Sequence, residues 1–411
     1  MTQFSDARRA ARFALFLSIF WVAACGGDGG TTEPTDPPVI TVTGVAENAA
    51  YPGAVTITFT ADKGSYSATL DGQTINSGTS VAAPGAHVLI VTARSGDRTA
   101  TQTVHFTIQG ATGGLLIIRM LDLGTRGEDA PGDAILLTDS SAGGMSHVLI
   151  DAGPGLTANT DAYVSQRLTA LKVDSLAIVV LTHAHGDHYL GMSTVLTTQK
   201  VKRFIYNGQI RTSAPTYTSL LSLAQTRSDS VIKITAVRDY SLGYSLTPAL
   251  LKVLQPLPTF INTDTGDGTL LNEGSVGARL DMGTFNMFFT GDSEVQATAR
   301  WRTTFADLTQ DITILKVGHH GANNAIFDNG LSGNSAWLDH TTPTVSIISG
   351  NGTSHPRRFA LARLQSQPGN TTYCTPVHGM ITIRVTRTGA YTVTTEKGAG
   401  LPCVPGSTAT T

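Results

Sequence analysis

The stretch that decides the fold is Leu176-Ala-Ile-Val-Val-Leu-Thr-His-Ala-His-Gly-Asp-His188. It opens on an unbroken apolar run, the pattern of a strand buried on both faces. Three histidines and an aspartate then fall within positions 183–188. In an extended loop alternate side chains point the same way. His183 and His185 can therefore grip one ion while Asp187 and His188 turn to a second. Imidazole suits zinc and other late first-row metals, and a carboxylate bridges well.

To the N-terminal side, Leu115-Leu-Ile-Ile-Arg-Met-Leu, Ala134-Ile-Leu-Leu-Thr and His147-Val-Leu-Ile-Asp are strand-like, and residues 159–172 space their apolar positions as a helix. Strand-like runs continue at 278–282, 285–290, 312–317 and 344–349. Strand–helix–strand units leading into a catalytic loop indicate an α/β layered domain. Two of the later runs end in candidate ligands: Phe288-Phe-Thr-Gly-Asp292 and Leu315-Lys-Val-Gly-His-His-Gly321. Ser349-Gly-Asn-Gly-Thr-Ser-His-Pro356 adds His355 at a further strand-to-loop boundary.

These motifs, in this order, resemble the metallo-β-lactamase superfamily. The closest likeness is to the metallo-β-lactamase-like domain of competence-type DNA-internalisation proteins and to secreted phosphorylcholine esterases. The resemblance covers roughly residues 115–395. It implies a four-layer αββα fold over 114–405 and two divalent metal ions, zinc first, with manganese also compatible. It also implies that Asp292 bridges both ions. His183, His185 and Asp292 would hold the first; Asp187, His188, Asp292 and His320 the second.

Spacing alone does not choose between His319 and His320, since neighbours after a strand point to opposite sides. His320 is assigned to metal and His319 to the substrate phosphate. His355 is read as proton donor or phosphate ligand, so Asp187, His319 and His355 form the candidate catalytic set. Asp151 in Leu149-Ile-Asp-Ala-Gly matches the family position that hydrogen-bonds a metal histidine, and such carboxylates orient the ring. Asp122 is placed beside it. Asp133 lies in a stretch longer than the family's Leu-Asp-Val-Gly-Gln-Gly-Asp-Ala, which puts a copied role for it in doubt. Asn272 and Ser275 match an Asn-x-x-Ser segment and either face the cleft or form an ordinary turn. His87, His105, His147, His340 and His378 read as packing or surface residues.

One departure narrows the chemistry. No histidine lies between His188 and His319, whereas β-lactamases, glyoxalases and lactonases place a metal-binding histidine there. The leading expectation is a phosphodiesterase or nuclease in which two metals share Asp292 and a hydroxide. The alternatives are a carbonyl-ester, lactone or β-lactam hydrolase of the same fold, and a non-catalytic surface-attachment protein. Lys200, Lys202 and Arg203, and Arg357 and Arg358, are modest basic clusters, suited either to nucleic acid or to solvation.

The chain of 411 residues has room for two domains. Residues 39–110 carry short alternating runs separated by turn clusters such as Asp71-Gly72, which suggests a small β-sandwich resembling bacterial immunoglobulin-like modules. Before it, Arg8, Arg9 and Arg12 precede the apolar stretch 13–24, too short to span a bilayer. Val22-Ala-Ala-Cys25 resembles a lipoprotein lipobox, with Cys25 the lipidated residue and 26–38 a flexible linker. An ordinary signal peptide is the alternative. This reading makes the chain an exported, outer-membrane or cell-surface lipoprotein acting on nucleic acid or a cell-surface polymer.

The formal charge is −2. Loss of residues 1–24 takes away a net +2 and leaves −4, against tight non-specific nucleic-acid binding. Cys374 and Cys403 flank a stretch that alternates like a hairpin turning near Gly389, which would bring them together as a disulfide in an oxidising compartment; two cysteines that merely pack are the alternative.

Overall fold

The computed structural model describes residues 36–409 apart from 52–54, 82–84, 109–113, 124–131, 142–143, 155–161, 244, 246 and 263. The stretch expected to be a leader, Cys25 and most of the expected 26–38 linker lie outside the described residues.

Two sheets form the N-terminal module. Strands β1 (Ile40–Thr43), β3 (Val55–Ala61) and β6 (Thr79–Val81) make the smaller. The larger contains β2 (Ala49–Tyr51), β4 (Ser65–Leu70), β5 (Gln73–Ile75), β7 (Gly85–Ser95) and β8 (Arg98–Ile108), in the order β2-β8-β7-β4-β5. Alternate residues Ile57 and Phe59 of β3 meet Leu89 and Val91 of β7 and Val104 and Phe106 of β8 in one core. Period-two alternation, with threonines on the outer positions, is what a half-buried strand requires.

The larger domain is built on two sheets. One contains β9 (Leu115–Met120), β10 (Ile135–Ser141), β11 (Gly144–Ile150), β12 (Ser175–Leu181), β13 (Lys200–Tyr206), β14 (Ser228–Lys233), β22 (Ile381–Thr386) and β23 (Tyr391–Thr395). Their order is β14-β13-β12-β11-β10-β9-β22-β23. The other runs in chain order through β15 (Arg238–Leu242), β16 (Ala249–Leu254), β17 (Gly277–Met282), β18 (Phe285–Phe289), β19 (Ile314–Lys316), β20 (Val345–Ile348) and β21 (Thr371–Cys374).

The inner faces pack together: Ile118, Leu137, Val148 and Val180 meet Leu251, Leu280, Met287 and Ile347. The alternate residues face outward. Leu136, Leu149 and Val179 pack on helices Tyr163–Ala170, Met192–Thr198 and Pro215–Arg227. Phe288, Leu315 and Ile348 pack on Trp301, Trp337 and Leu361 of the opposite helical layer. Each central strand is thus covered on both sides, which explains its near-continuous hydrophobicity. The layers are α, β, β, α, as the resemblance implies.

The topology places one end of both sheets at the site. Strands β11 to β14 run parallel, as do β18 to β21. Loops after parallel strands gather at their carboxyl ends, where open α/β sheets bind ligands. Asp151 follows β11, His183 follows β12, Asp292 follows β18, His319 follows β19 and His355 lies beyond β20. The start of antiparallel β10 reaches the same end, because Ile135 pairs with Ile150 and with Met120; this brings Asp133 there.

The hairpin of β22 and β23 turns at Gly389, whose φ is 99°. Cys374 and Cys403 are joined by a disulfide, with Cα atoms 5.7 Å apart. Among the described residues of the stretch 159–172, the helix runs Tyr163–Ala170. Lys172, at φ 58°, closes the turn beyond it.

Candidate metal centre

The segment 183–188 is not extended throughout. His183 follows the strand by two residues, His185 stands on extended backbone, and the chain then makes a helical turn over Gly186–Tyr189. Both parts serve the cluster. His183 Nε2 and His185 Nδ1 lie 3.0 Å apart, while the turn carries Asp187 and His188 inward. Across from them, Asp292 hangs from the Thr290-Gly-Asp loop. Gly291 has φ 53°, and a Cβ there would stand 3.0 Å from both Ser275 and Thr182, so the loop passes where only glycine fits. The Asp292 amide donates to Ser275 Oγ at 3.1 Å.

Asp187, His188, Asp292 and His320 converge. Asp292 Oδ2 is 3.2 Å from His188 Nε2 and 3.1 Å from His320 Nε2. Asp187 Oδ2 is 3.3 Å from His320 Nε2 and 3.8 Å from His188 Nε2. Ligands around a tetrahedral ion at ~2.0–2.1 Å are separated by about 3.3–3.4 Å. These spacings, and the mix of imidazole and carboxylate, fit a divalent cation. His183 Nε2 is 3.9 Å from Asp292 Oδ2, so the His183, His185 and Asp292 set is looser.

Each ring is oriented by its far nitrogen. His188 Nδ1 donates to Asp151 Oδ2 at 2.8 Å, and His320 Nδ1 donates to the Ser349 carbonyl at 3.0 Å. Both bonds leave Nε2 facing the cluster. Asp151 is itself held by the Thr182 amide at 2.8 Å and hydroxyl at 2.6 Å. Burial opposes protonation of His188, but Asp292, Asp187 and Asp151 outweigh it and raise its pKa well above the usual value. For His320, burial is likewise overcome by Asp292 and Asp187, which raise it to about 9. Burial, reinforced by His188, instead holds His183 well below the ordinary histidine value. Burial also lowers His185.

His319 and His320 do not diverge as neighbours after a strand should. Both adopt left-handed backbone, at φ 42° and 54°, a costly conformation for a non-glycine residue and one that recurs at functional sites. The turn brings both rings to the same cleft. His320 is buried in the cluster, and His319 lies at its edge. There His319 Nδ1 is 3.1 Å from Glu294 Oε1 and 3.2 Å from Asn324 Oδ1. Asn272 donates to the same Glu294 oxygen at 2.7 Å. His355 stacks on His319 with centroids 5.7 Å apart. Burial, then His320, His319 and Arg357, push the His355 pKa down to about 3.

Three residues enter the site that the sequence did not nominate as functional. Asp133 is buried beside the cluster, with Oδ1 3.8 Å from His320 Nδ1, so the longer loop before it does not displace it. Lys316 is fully buried, paired with Asp133 and donating to the Gly291 carbonyl at 2.9 Å. Burial works against its charge, yet Asp133 and Asp292 hold its pKa above the usual lysine value. Glu294 is the third. Its position follows from Glu273, which caps the helix Val295–Thr304 by accepting from the amides of Gln296 and Ala297 at 2.8 and 2.6 Å.

Asp122 pairs with Lys397 at 3.5 Å, and its carbonyl accepts from Tyr163. Lys200 pairs in register with Ser175, at the start of β12, while the metal motif follows Leu181 at its end. Lys200 and Lys202 are therefore solvated charges at the far end of the sheet. The cation beside the motif is Arg211, which donates to the Ala184 carbonyl. The remaining histidines bond elsewhere: His87 with Asp71, His105 with Glu47, His147 with Thr138, His340 with Thr309 and His378 with Leu401.

Residues 146–343 match a family model described as beta-lactamase superfamily domain. The chain is similar to ComE operon protein 3 of Bacillus subtilis (strain 168), with 26% identity over 237 residues. That match takes in 53% of this chain but 27% of the other, so the chain spans about a quarter of the curated relative's length. Among solved structures, a CmlA beta-hydroxylase mutant aligns with TM-score 0.40 and 13% identity, covering 67% of this chain and 55% of that one. A diphosphatase from the PhnP family aligns with TM-score 0.32 and 11% identity, covering 63% and 86%.

Proposed function

From the premise that this chain belongs to the metallo-β-lactamase superfamily, we propose that it is an exported, metal-dependent phosphodiesterase. The observation that carries this reading is the convergence of Asp187, His188, Asp292 and His320 on one buried point. The absence of a histidine between His188 and His319 favours phosphodiester over β-lactam or lactone chemistry. Similarity to ComE operon protein 3, with the competence-type motif order, favours nucleic acid as substrate; a phosphodiester on a cell-surface polymer is the alternative source.

His183, His185 and Asp292 would hold one ion, and Asp187, His188, Asp292 and His320 the other, zinc being the first choice. Ions bound there polarise a phosphoryl oxygen and make water nucleophilic near neutral pH. The chain does the rest. Asp151 and the Ser349 carbonyl keep His188 and His320 in the tautomer that offers Nε2. Glu294 and Asn324 orient His319 at the rim, where its ring contacts a phosphate oxygen. His355, kept neutral beside His319, serves as a ligand to the same phosphate group and not as its proton donor. Asp187 would serve both as a ligand and as an acceptor for a proton leaving water. The segment 39–110 acts as an immunoglobulin-like spacer, and lipidation at Cys25 tethers the protein to a membrane. No described helix is long and apolar enough to cross one.

A substrate panel tests this reading. The purified protein, loaded with zinc or manganese, is assayed on bis-p-nitrophenyl phosphate, plasmid DNA, single-stranded DNA, a lactone and nitrocefin. Cleavage of the phosphodiester or of DNA is the expected result. Turnover of the lactone or nitrocefin alone overturns the phosphodiesterase assignment. Inactivity on every substrate in metal-loaded protein favours a surface-attachment role.

A further inference from the structure

Lys316 ends β19 with no exposed surface. A buried ammonium is costly unless it is paired, and this one has a defined set of partners. It contacts the Asp133 carboxylate, donates to the Gly291 carbonyl at 2.9 Å and lies 3.7 Å from Asp292 Oδ1. Among the described residues, Asp292 Oδ1 is buried and has no hydrogen-bond partner. The other oxygen, Oδ2, faces Nε2 of His188 and of His320 at 3.2 and 3.1 Å. The two oxygens of one carboxylate are thus divided between a lysine on one side and the histidines on the other.

We propose that Lys316 is a positioning residue for Asp292. This rests on the reading that Asp187, His188, Asp292 and His320 hold a divalent ion. Anchored by Asp133 and the Gly291 carbonyl, the ammonium keeps Oδ1 turned toward the floor of the site and commits Oδ2 alone to the ion. Asp133 serves the ion indirectly, by neutralising and fixing the lysine. A purely Coulombic role has the opposite sign, because a fixed cation nearby weakens the attraction for a second one. Removing the lysine therefore separates the two accounts by the direction of the change.

The test is Lys316→Met in the full chain, stripped of metal and titrated with cobalt(II). Binding is read by equilibrium dialysis and geometry by visible absorption of the bound ion. Positioning predicts binding weaker by about 10–100-fold, as for other outer partners of metal ligands, together with an altered cobalt spectrum. Loss of one buried partner can prevent folding, so Asp133→Leu combined with Lys316→Met removes both charges at once. The double variant is expected to fold and to show the same weakening. Unchanged or tighter binding with the wild-type spectrum, in either folded variant, overturns the proposal. Failure of the wild-type chain to bind cobalt at all overturns the metal-centre reading itself, and this inference with it.

Discussion

His188 Nδ1 donates to Asp151 Oδ2 at 2.8 Å with both side chains fully buried, and this bond decides which nitrogen of His188 faces Asp292 and His320. Asp151 also accepts from the Thr182 amide and hydroxyl, so the carboxylate couples the end of β12 to the metal cluster. Its backbone sits at φ 56°, which is strain held at a functional position. Asp151→Ala is expected to weaken metal binding about 10–100-fold and to destabilise the fold by about 3–5 kcal/mol, the cost of leaving one partner of a buried pair alone. Chelator competition and urea unfolding measure the two effects. Asp151→Asn, which retains an acceptor for His188, should lose less of both.

Metal binding should release protons. Carboxylates raise His320 to about 9 and His188 well above its usual value, so an incoming ion must displace at least one proton at neutral pH. Apparent affinity is expected to rise at least tenfold per pH unit between about pH 6 and 9, one factor of about ten for each proton released. Calorimetric titration in buffers of different ionisation enthalpy reports the proton count. In the metal-free chain the sign reverses: the raised His320 contributes stability below about pH 6.5 that is lost as pH rises through about 9. A pH-independent affinity would contradict this.

His355 should make the protein acid-sensitive. Its pKa is depressed to about 3, so between about pH 6.5 and 3 the unfolded chain binds a proton that the folded chain refuses. Its contribution is lost as pH falls through that window, with about 1–2 kcal/mol gone between pH 7 and 5. His355→Gln removes the penalty and should narrow the difference in unfolding free energy between those two pH values. An unchanged difference would mean that His355 is solvated or already charged in the native state.

The disulfide between Cys374 and Cys403 closes a loop of sequence separation 29 around the last hairpin. In the chain-entropy picture a loop of this length contributes about 3–4 kcal/mol. Reduction, or Cys403→Ser, should lower the urea midpoint accordingly while leaving the metal cluster intact, since neither sulphur is part of it. Equal stability of the oxidised and reduced protein would show that the cysteines add only packing.

Much of this was legible in the sequence because it was local. The apolar run 176–181 ending in three histidines and an aspartate announces a buried strand delivering ligands, and no distant partner is needed to see it. Asp292 and His320 were visible for the same reason, each a short loop beyond a strand. Lys316 and Asp133 were not, because their role depends on a pairing across 183 positions that no local pattern encodes. The shared orientation of His319 and His320 was hidden too: adjacent residues diverge on ordinary backbone, and only the left-handed turn between Gly318 and Gly321 brings both to one cleft. In the N-terminal module, β2, β5 and β6 are three residues each, too short for alternation to register.

In the proposed function this cluster hydrolyses phosphodiesters through bound metal. Its most direct test is the rate of bis-p-nitrophenyl phosphate hydrolysis as zinc or manganese is added back to chelator-stripped protein. The rate is expected to rise with the metal bound, to saturate when the site is full, and to stay at background in Asp292→Ala at the same metal concentrations. A fully loaded wild-type protein that leaves the phosphodiester intact would contradict it, as would an Asp292→Ala variant that cleaves it at the wild-type rate.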